Sequence, residues 1–131
     1  MDKPKIVLSI LPETLGICHF GPNIPVPEWA MEGTRFFSIT KTPGELSVVC
    51  DQDKIPGGVF VEKNWRALKT EGPVNLYTVG IIATLTEPLA RAGISIFNIS
   101  TYETDYLLFE EKNLEVAVEV LSEFCEIKNA K

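Results

Sequence analysis

Ile82, Leu85, Leu89 and Ala92 fall at i, i+3, i+7 and i+10 between Gly80 and Gly93, which puts them on one face of a helix. Gly80 can open that helix and Gly93 can stop it. Pro88 lies inside it and removes one i→i−4 bond, so a kink or break is expected there. Beyond Gly93 the period changes. Ile94–Ser100 and Asp105–Phe109 are rich in β-branched and aromatic residues and predict two strands joined across Thr101–Thr104. Leu114, Ala117, Val118, Leu121 and Phe124 then form one apolar stripe, with Asn113 placed to cap the helix and Glu115, Glu119 and Glu123 facing water. Cys125–Lys128 predicts a closing strand, and Trp65–Thr70, which alternates apolar and polar residues before Gly72-Pro73, predicts an opening one. The order is βαββαβ, the ferredoxin-like arrangement.

The first half repeats this plan in worn form. Phe37-Ser38-Ile39-Thr40 aligns with Phe97-Asn98-Ile99-Ser100 at an offset of 60 residues. Continuing, Glu45-Leu46 meets Asp105-Tyr106, and Val48-Val49 meets Leu108-Phe109. Because the match includes turn chemistry as well as hydrophobicity, it reads as a duplication. Lys5–Leu11 and Leu15–Phe20 predict strands, and Arg35–Lys41 with Leu46–Asp51 predicts a hairpin across Thr42-Pro43-Gly44-Glu45. The segment Gly21–Trp29 holds three prolines and excludes a regular long helix; Ile55-Pro56-Gly57-Gly58 is a turn. The fold class is therefore α+β, two ferredoxin-like units in tandem with the first degenerate: 1–64 and 65–131. A unit of about 60 residues buries only about 60% of its chain surface, so neither is expected to be stable alone.

Composition narrows the function. A net charge of −6 and a pI of about 4.8, without a Lys/Arg cluster, argue against nucleic acid and anionic membrane. No apolar run approaches the roughly 18 residues of a spanning helix, and the N-terminus lacks the features of an export signal. Cys18, Cys50 and Cys125 are widely spaced and odd in number, which suits reduced thiols and a cytoplasmic location.

Two features could carry binding chemistry. Unpaired N–H groups at Gly80, Ile81 and Ile82, with the helix dipole, make an anion site, or simply a solvated helix start. Asp105 opens an apolar strand, beside Ser100, Thr101 and Thr104, although acids are disfavoured in strands. It either ends a turn in solvent or holds a cation. Together the two features offer partners for both charges of a free amino acid. Cys18-His19 is a weaker candidate, because adjacent strand residues point to opposite faces. With no second histidine and no CxxC, a metal site is not expected. GxSxG, Walker, HExxH and GxGxxG motifs are absent, so neither an enzyme nor a cofactor is expected.

The stretch GIIATLTEPLARAGISIFNISTYETDYLLF resembles the ACT domain, the small regulatory βαββαβ module that binds amino acids. It is most similar to the subgroup of aspartokinase regulatory domains and cytosolic arginine sensors. There a helix and a Gly-Ile-Ser strand precede Ser-Thr-aromatic-x-x-Asp, matched here by Ser100 to Asp105; SVVC (Ser47 to Cys50) and WRAL (Trp65 to Leu68) fit as well. The resemblance implies a ligand lodged between two units, touching Thr78, Gly80, Ile81, Thr101, Tyr102, Thr104, Asp105, Ser47 and Val48. The chain departs from the sensors at Thr78, where they carry an acid that helps hold a guanidinium, and at Asn75, where they carry glycine. A small or neutral amino acid therefore fits better than arginine. The expected protein is a small stand-alone regulator that binds a free amino acid without catalysis, forms a homodimer or larger, and acts on a separate protein if it controls one. The alternative is an ACT-like dimerisation or interaction module with no small-molecule ligand.

Overall fold

The computed structural model describes residues 6–33, 35–71 and 80–130. In chain order the strands are β1 (Ile6–Ile10), β2 (Leu15–Phe20), β3 (Ser38–Lys41), β4 (Leu46–Asp51), β5 (Val61–Thr70), β6 (Phe97–Ser100), β7 (Asp105–Glu110) and β8 (Cys125–Asn129), with helices α1 (Ile81–Arg91) and α2 (Leu114–Leu121). They form two compact units, residues 13–65 and residues 1–12 with 66–131. This differs from the expected division in the fate of the first strand: β1 belongs with the C-terminal unit. Alternating Ile6, Leu8 and Ile10 set the face of β1 that packs on the C-terminal core, but they do not name its neighbours.

In the 13–65 unit the strand order is β3-β4-β2-β5, with antiparallel pairs throughout. This is the ferredoxin-like order with its helices reduced to single 3-10 turns, Glu28–Met31 and Gln52–Lys54. The prolines explain the loss. Pro27 precedes the first turn in extended geometry. After the second turn Ile55 stands at φ −81°, ψ 119°, as the following Pro56 requires, since a proline disfavours helical backbone in the residue before it. Leu46, Val48, Cys18, Cys50 and Ala30 make the core, with Trp29, Ile55 and Val59 packed against it.

Cys18 and Cys50 lie in this core. Burial pushes the Cys50 thiol from 9.0 up to about 12, with the neighbouring Cys18 and Asp51 adding to the effect. Burial also raises Cys18, partly offset by its hydrogen bond to Cys50. A thiol raised in the folded state stabilises fully below its unfolded value, and that contribution is lost as pH rises through the folded one. The urea midpoint of the protein should therefore fall between pH 9.0 and about 12, and fall less steeply in Cys50→Val. Equal slopes for the two proteins would remove Cys50 from the account.

The C-terminal unit has the order β8-β1-β5-β7-β6. Without β1 this is again the ferredoxin-like order; β1 is inserted parallel to β8 and antiparallel to β5. Here both helices are present. Leu85 and Leu89 of α1 and Ala117 and Leu121 of α2 are buried against Leu8, Leu68, Leu107 and Phe109. Glu115, Glu119 and Glu123 are exposed, as the stripe predicts, whereas Phe124 lies beyond the helix and is exposed. Of the kink or break expected at Pro88, the break does not occur: helix α1 runs on through Pro88 to Arg91, because the lost bond affects one carbonyl only. Asn113 makes no side-chain cap; α2 instead grows out of a 3-10 turn, Glu111–Asn113. Gly80 (φ +88°) and Gly93 (φ +77°) flank α1 in the left-handed region that glycine enters without strain. Gly72-Pro73, Asn75 and Thr78 lie outside the described residues.

Candidate functional site

The β6–β7 hairpin is closed by its own threonines. Thr101 N–H donates to the Thr104 carbonyl at 2.8 Å, Thr104 N–H donates to the Thr101 hydroxyl at 3.2 Å, and the two hydroxyls lie 2.8 Å apart. The β3–β4 hairpin is built alike. There Thr42 N–H donates to the Glu45 carbonyl at 2.9 Å, and Glu45 N–H donates to the Thr42 hydroxyl at 3.1 Å. Matching the turns aligns Lys41 with Ser100 and Leu46 with Asp105, an offset of 59 residues. The offset of 60 is thus corrected by one, and the counterpart of Asp105 is Leu46, not Glu45. Burial agrees residue by residue from Leu46–Cys50 to Asp105–Phe109, and the 3-10 turns at Gln52 and Glu111 follow at the same spacing.

Asp105 is not a solvated turn residue; it is 7% exposed. Its Oδ1 accepts from the Ser100 hydroxyl at 2.6 Å, and Ser100 in turn accepts from the Asn98 side-chain amide at 3.2 Å. The main chain of Asp105 is held separately. Its N–H donates to the Thr70 hydroxyl at 2.8 Å, and that hydroxyl lies 3.4 Å from its carbonyl oxygen as donor. Among the described residues no cation pairs with the carboxylate. Thr70, buried and 35 residues from its partner, was not legible in sequence: a threonine ending a strand carries no positional signal.

The other predicted residues lie on several elements. Gly80 is exposed at the start of α1 and makes no side-chain cap, while Ile81 packs on the C-terminal core. Gly80, as the N-cap residue, has no side chain with which to cap the first N–H groups of α1. Thr101 is exposed, Thr104 half-buried, and Tyr102 at the hairpin tip is 78% exposed. Ser47 and Val48 belong to the 13–65 unit. Ser47 is half-buried, and Val48 is a core residue between paired strands. Thr78 is outside the described residues. Neither Cys18 nor His19 shows catalytic geometry: the thiol is buried, and the exposed imidazole meets the edge of Phe60 at a centroid distance of 6.1 Å. Among the described residues no cluster of His, Cys, Asp or Glu could hold a metal. A cleft of about 710 Å³ in the 13–65 unit, lined in part by Glu13, Asp51, Asp53 and Lys63, contains none of the predicted residues.

A family model described as the ACT domain matches residues 60–123, and a model of an N-terminal domain matches residues 13–58. A protein from Agobacterium tumefaciens, solved by crystallography, is 35% identical with a TM-score of 0.90, over 98% of this chain and 97% of that one. Residues 60–123 belong to the ACT-domain family. This ACT-domain protein is also similar to the cytosolic arginine sensor for mTORC1 subunit 1. It is 31% identical to the Bos taurus sensor over 99 residues, 67% of this chain and 30% of the sensor. To the Homo sapiens sensor it is 33% identical over 94 residues, 66% of this chain and 29% of the sensor. It thus spans less than a third of those curated relatives. The regulatory subunit of aspartate kinase from Thermus thermophilus shares the fold at 11% identity and TM-score 0.62, over 87% of this chain and 94% of that one. No described helix is long and apolar enough to cross a membrane.

Proposed function

We propose that this ACT-domain protein is a non-catalytic regulator that binds a free α-amino acid at Asp105. The observation that carries this is a carboxylate 7% exposed whose one side-chain hydrogen-bond partner among the described residues is a neutral hydroxyl. Burying a charge is costly unless a counter-charge is supplied, and the ammonium of an amino acid supplies it. The ligand's carboxylate then has the uncapped N–H groups at Gly80 and Ile81, where the helix dipole favours an anion. Thr101, Tyr102 and Thr104 lie on the turn that leads to Asp105 and form its rim. Leu46 replaces the acid in the 13–65 unit, so the ammonium anchor occurs once per chain. A small or neutral ligand follows from Thr78, which offers no charge to a cationic side chain.

The name of the similar mammalian proteins, cytosolic arginine sensor, supports amino-acid control in the cytoplasm; action on a separate partner as a homodimer is part of the same proposal. A thermal-shift screen with the twenty amino acids is the test. A true ligand at about 100 times its dissociation constant adds about 2.7 kcal/mol of stability. A flat response to all twenty favours the second reading, an interaction module, which the exposed Tyr102 ring suits. Light scattering on the same sample should give a mass above the 14.5 kDa of one chain.

A further inference from the structure

We propose that the cleft in the 13–65 unit is a small-molecule site of its own, made for a monoamine with an apolar body. It stands apart from the Asp105 reading and does not depend on it. The cleft exists because a helix is missing. In the C-terminal unit the 3-10 turn Glu111–Asn113 runs straight into α2, whose Ala117 and Leu121 are buried in the core. At the matching place the turn Gln52–Lys54 gives way at Ile55-Pro56 to an irregular segment, residues 55–60. Ile55, Val59 and Val61 pack on the core from there and line a space of about 710 Å³. That volume falls within the range of about 300–1,000 Å³ usual for small-molecule sites.

The walls differ in chemistry. Ile55, Val59 and Val61 supply an apolar side, while Asp51, at the end of β4, is 5% exposed and lies deep. Gly33 lets the carboxyl lie there, since a Cβ on Gly33 would stand 3.3 Å from the Asp51 carboxyl carbon. Glu13 is held by Arg35 at 3.1 Å. Beyond that pair the cleft carries two acids, Asp51 and Asp53, against one base, Lys63. This balance attracts an ammonium and repels a carboxylate, most strongly at Asp51, where water screens least. Asp53 and Lys63 are exposed and mark the rim; the lysine repels a second positive charge, so the ligand carries one amine.

The rim is fixed before any ligand arrives. Strand β5 has one extra residue opposite β2, because Leu15 pairs with Trp65 but Ile17 with Glu62, and such a bulge re-aims side chains. Within it Asn64 takes a left-handed φ of +66°. Gln52 locks that conformation: its Nε2 donates to Asn64 Oδ1 at 3.1 Å, and its Oε1 accepts from the Asn64 N–H at 2.6 Å. A site shaped in advance loses less to ordering on binding.

Amide-resolved NMR on the whole chain, titrated with isoamylamine, is the test, because it locates binding as well as detecting it. Saturable shifts should centre on residues 51–63. Isoamyl alcohol, the same body without the charge, should bind about tenfold or more weakly, and isovalerate, with a carboxylate instead, should not bind. Cadaverine should bind more weakly than n-pentylamine, its singly charged counterpart. Asp51→Asn should weaken isoamylamine about tenfold or more. Two exposed positions give variants that spare the core: Asp53→Asn should weaken the amine and Lys63→Ala should strengthen it, each about two- to threefold. Asp105→Asn should leave the amine titration unchanged. Equal binding of amine and alcohol overturns the inference, as do tighter binding of cadaverine, shifts centred on Asp105, or no shift within residues 51–63. A flat amino-acid screen beside a positive amine titration would instead sink the Asp105 reading alone.

Discussion

Replacing Asp105 by asparagine should weaken amino-acid binding by roughly 10- to 150-fold and leave the protein folded. A hydrogen bond to a charged group contributes about 1.5–3 kcal/mol, and each 1.4 kcal/mol is about tenfold in affinity. Asparagine keeps the volume, and its amide oxygen can still accept from Ser100, whose hydroxyl lies 2.6 Å from Oδ1 in the native protein. The amide nitrogen then replaces Oδ2 and turns a donor toward the ligand's ammonium. The folded state should not suffer, because the substitution removes a buried charge and leaves the Thr70 bonds to the main chain intact. Calorimetry with the amino acid found by thermal shift decides the matter. An unchanged dissociation constant would detach Asp105 from ligand recognition, and a collapsed melting temperature would make it structural.

The largest effect on stability is expected from Phe109→Ala, which should cost about 3–5 kcal/mol, the usual range for a buried phenylalanine. Phe109 is fully buried among Leu68, Leu85, Leu89, Leu107 and Leu121, where residues of the sheet and both helices meet. Against a total stability of about 5–15 kcal/mol for an ordinary domain, such a loss brings the protein close to its unfolding threshold. Its counterpart in the 13–65 unit, at the corrected spacing, is Cys50. The smaller side chain stands where two helices are replaced by 3-10 turns, and the larger one where α1 and α2 cover the sheet. Urea unfolding measures the cost as a lower midpoint at constant slope. A loss below about 1 kcal/mol would show that the cavity collapses and that Phe109 does not organise the core.

Most of the βαββαβ plan was legible because helix and strand periods differ and because glycines mark the ends of α1. The duplication was legible too, but one residue out of register. Hydrophobic similarity pairs Val48 with Leu108, whereas the threonine turns pair it with Leu107. A one-residue slip exchanges the two faces of a strand, and in the buried run Val48–Cys50 both faces are apolar, so composition alone could not expose the error. Asp105 stood out because an acid is unusual at the head of an apolar strand. Thr70 did not, since its role comes from a strand partner 35 residues away. The placement of β1 was illegible for a related reason: pairing over long separations is decided by the whole sheet, not by local pattern.

The insertion of β1 between β5 and β8 bears on how the protein is made. Ile6 pairs with Cys125 and Ile10 with Asn129, so β1, made before β2 to β7, finds one of its neighbours only after all of them. Closing so long a loop carries an entropic cost that grows with length, and folds dominated by such distant contacts form slowly. During synthesis β1 must wait with its apolar residues uncovered, a state that invites chaperone capture. A fragment beginning at Trp65 would carry every element of the βαββαβ plan and still leave β8 beside an empty slot in its own sheet.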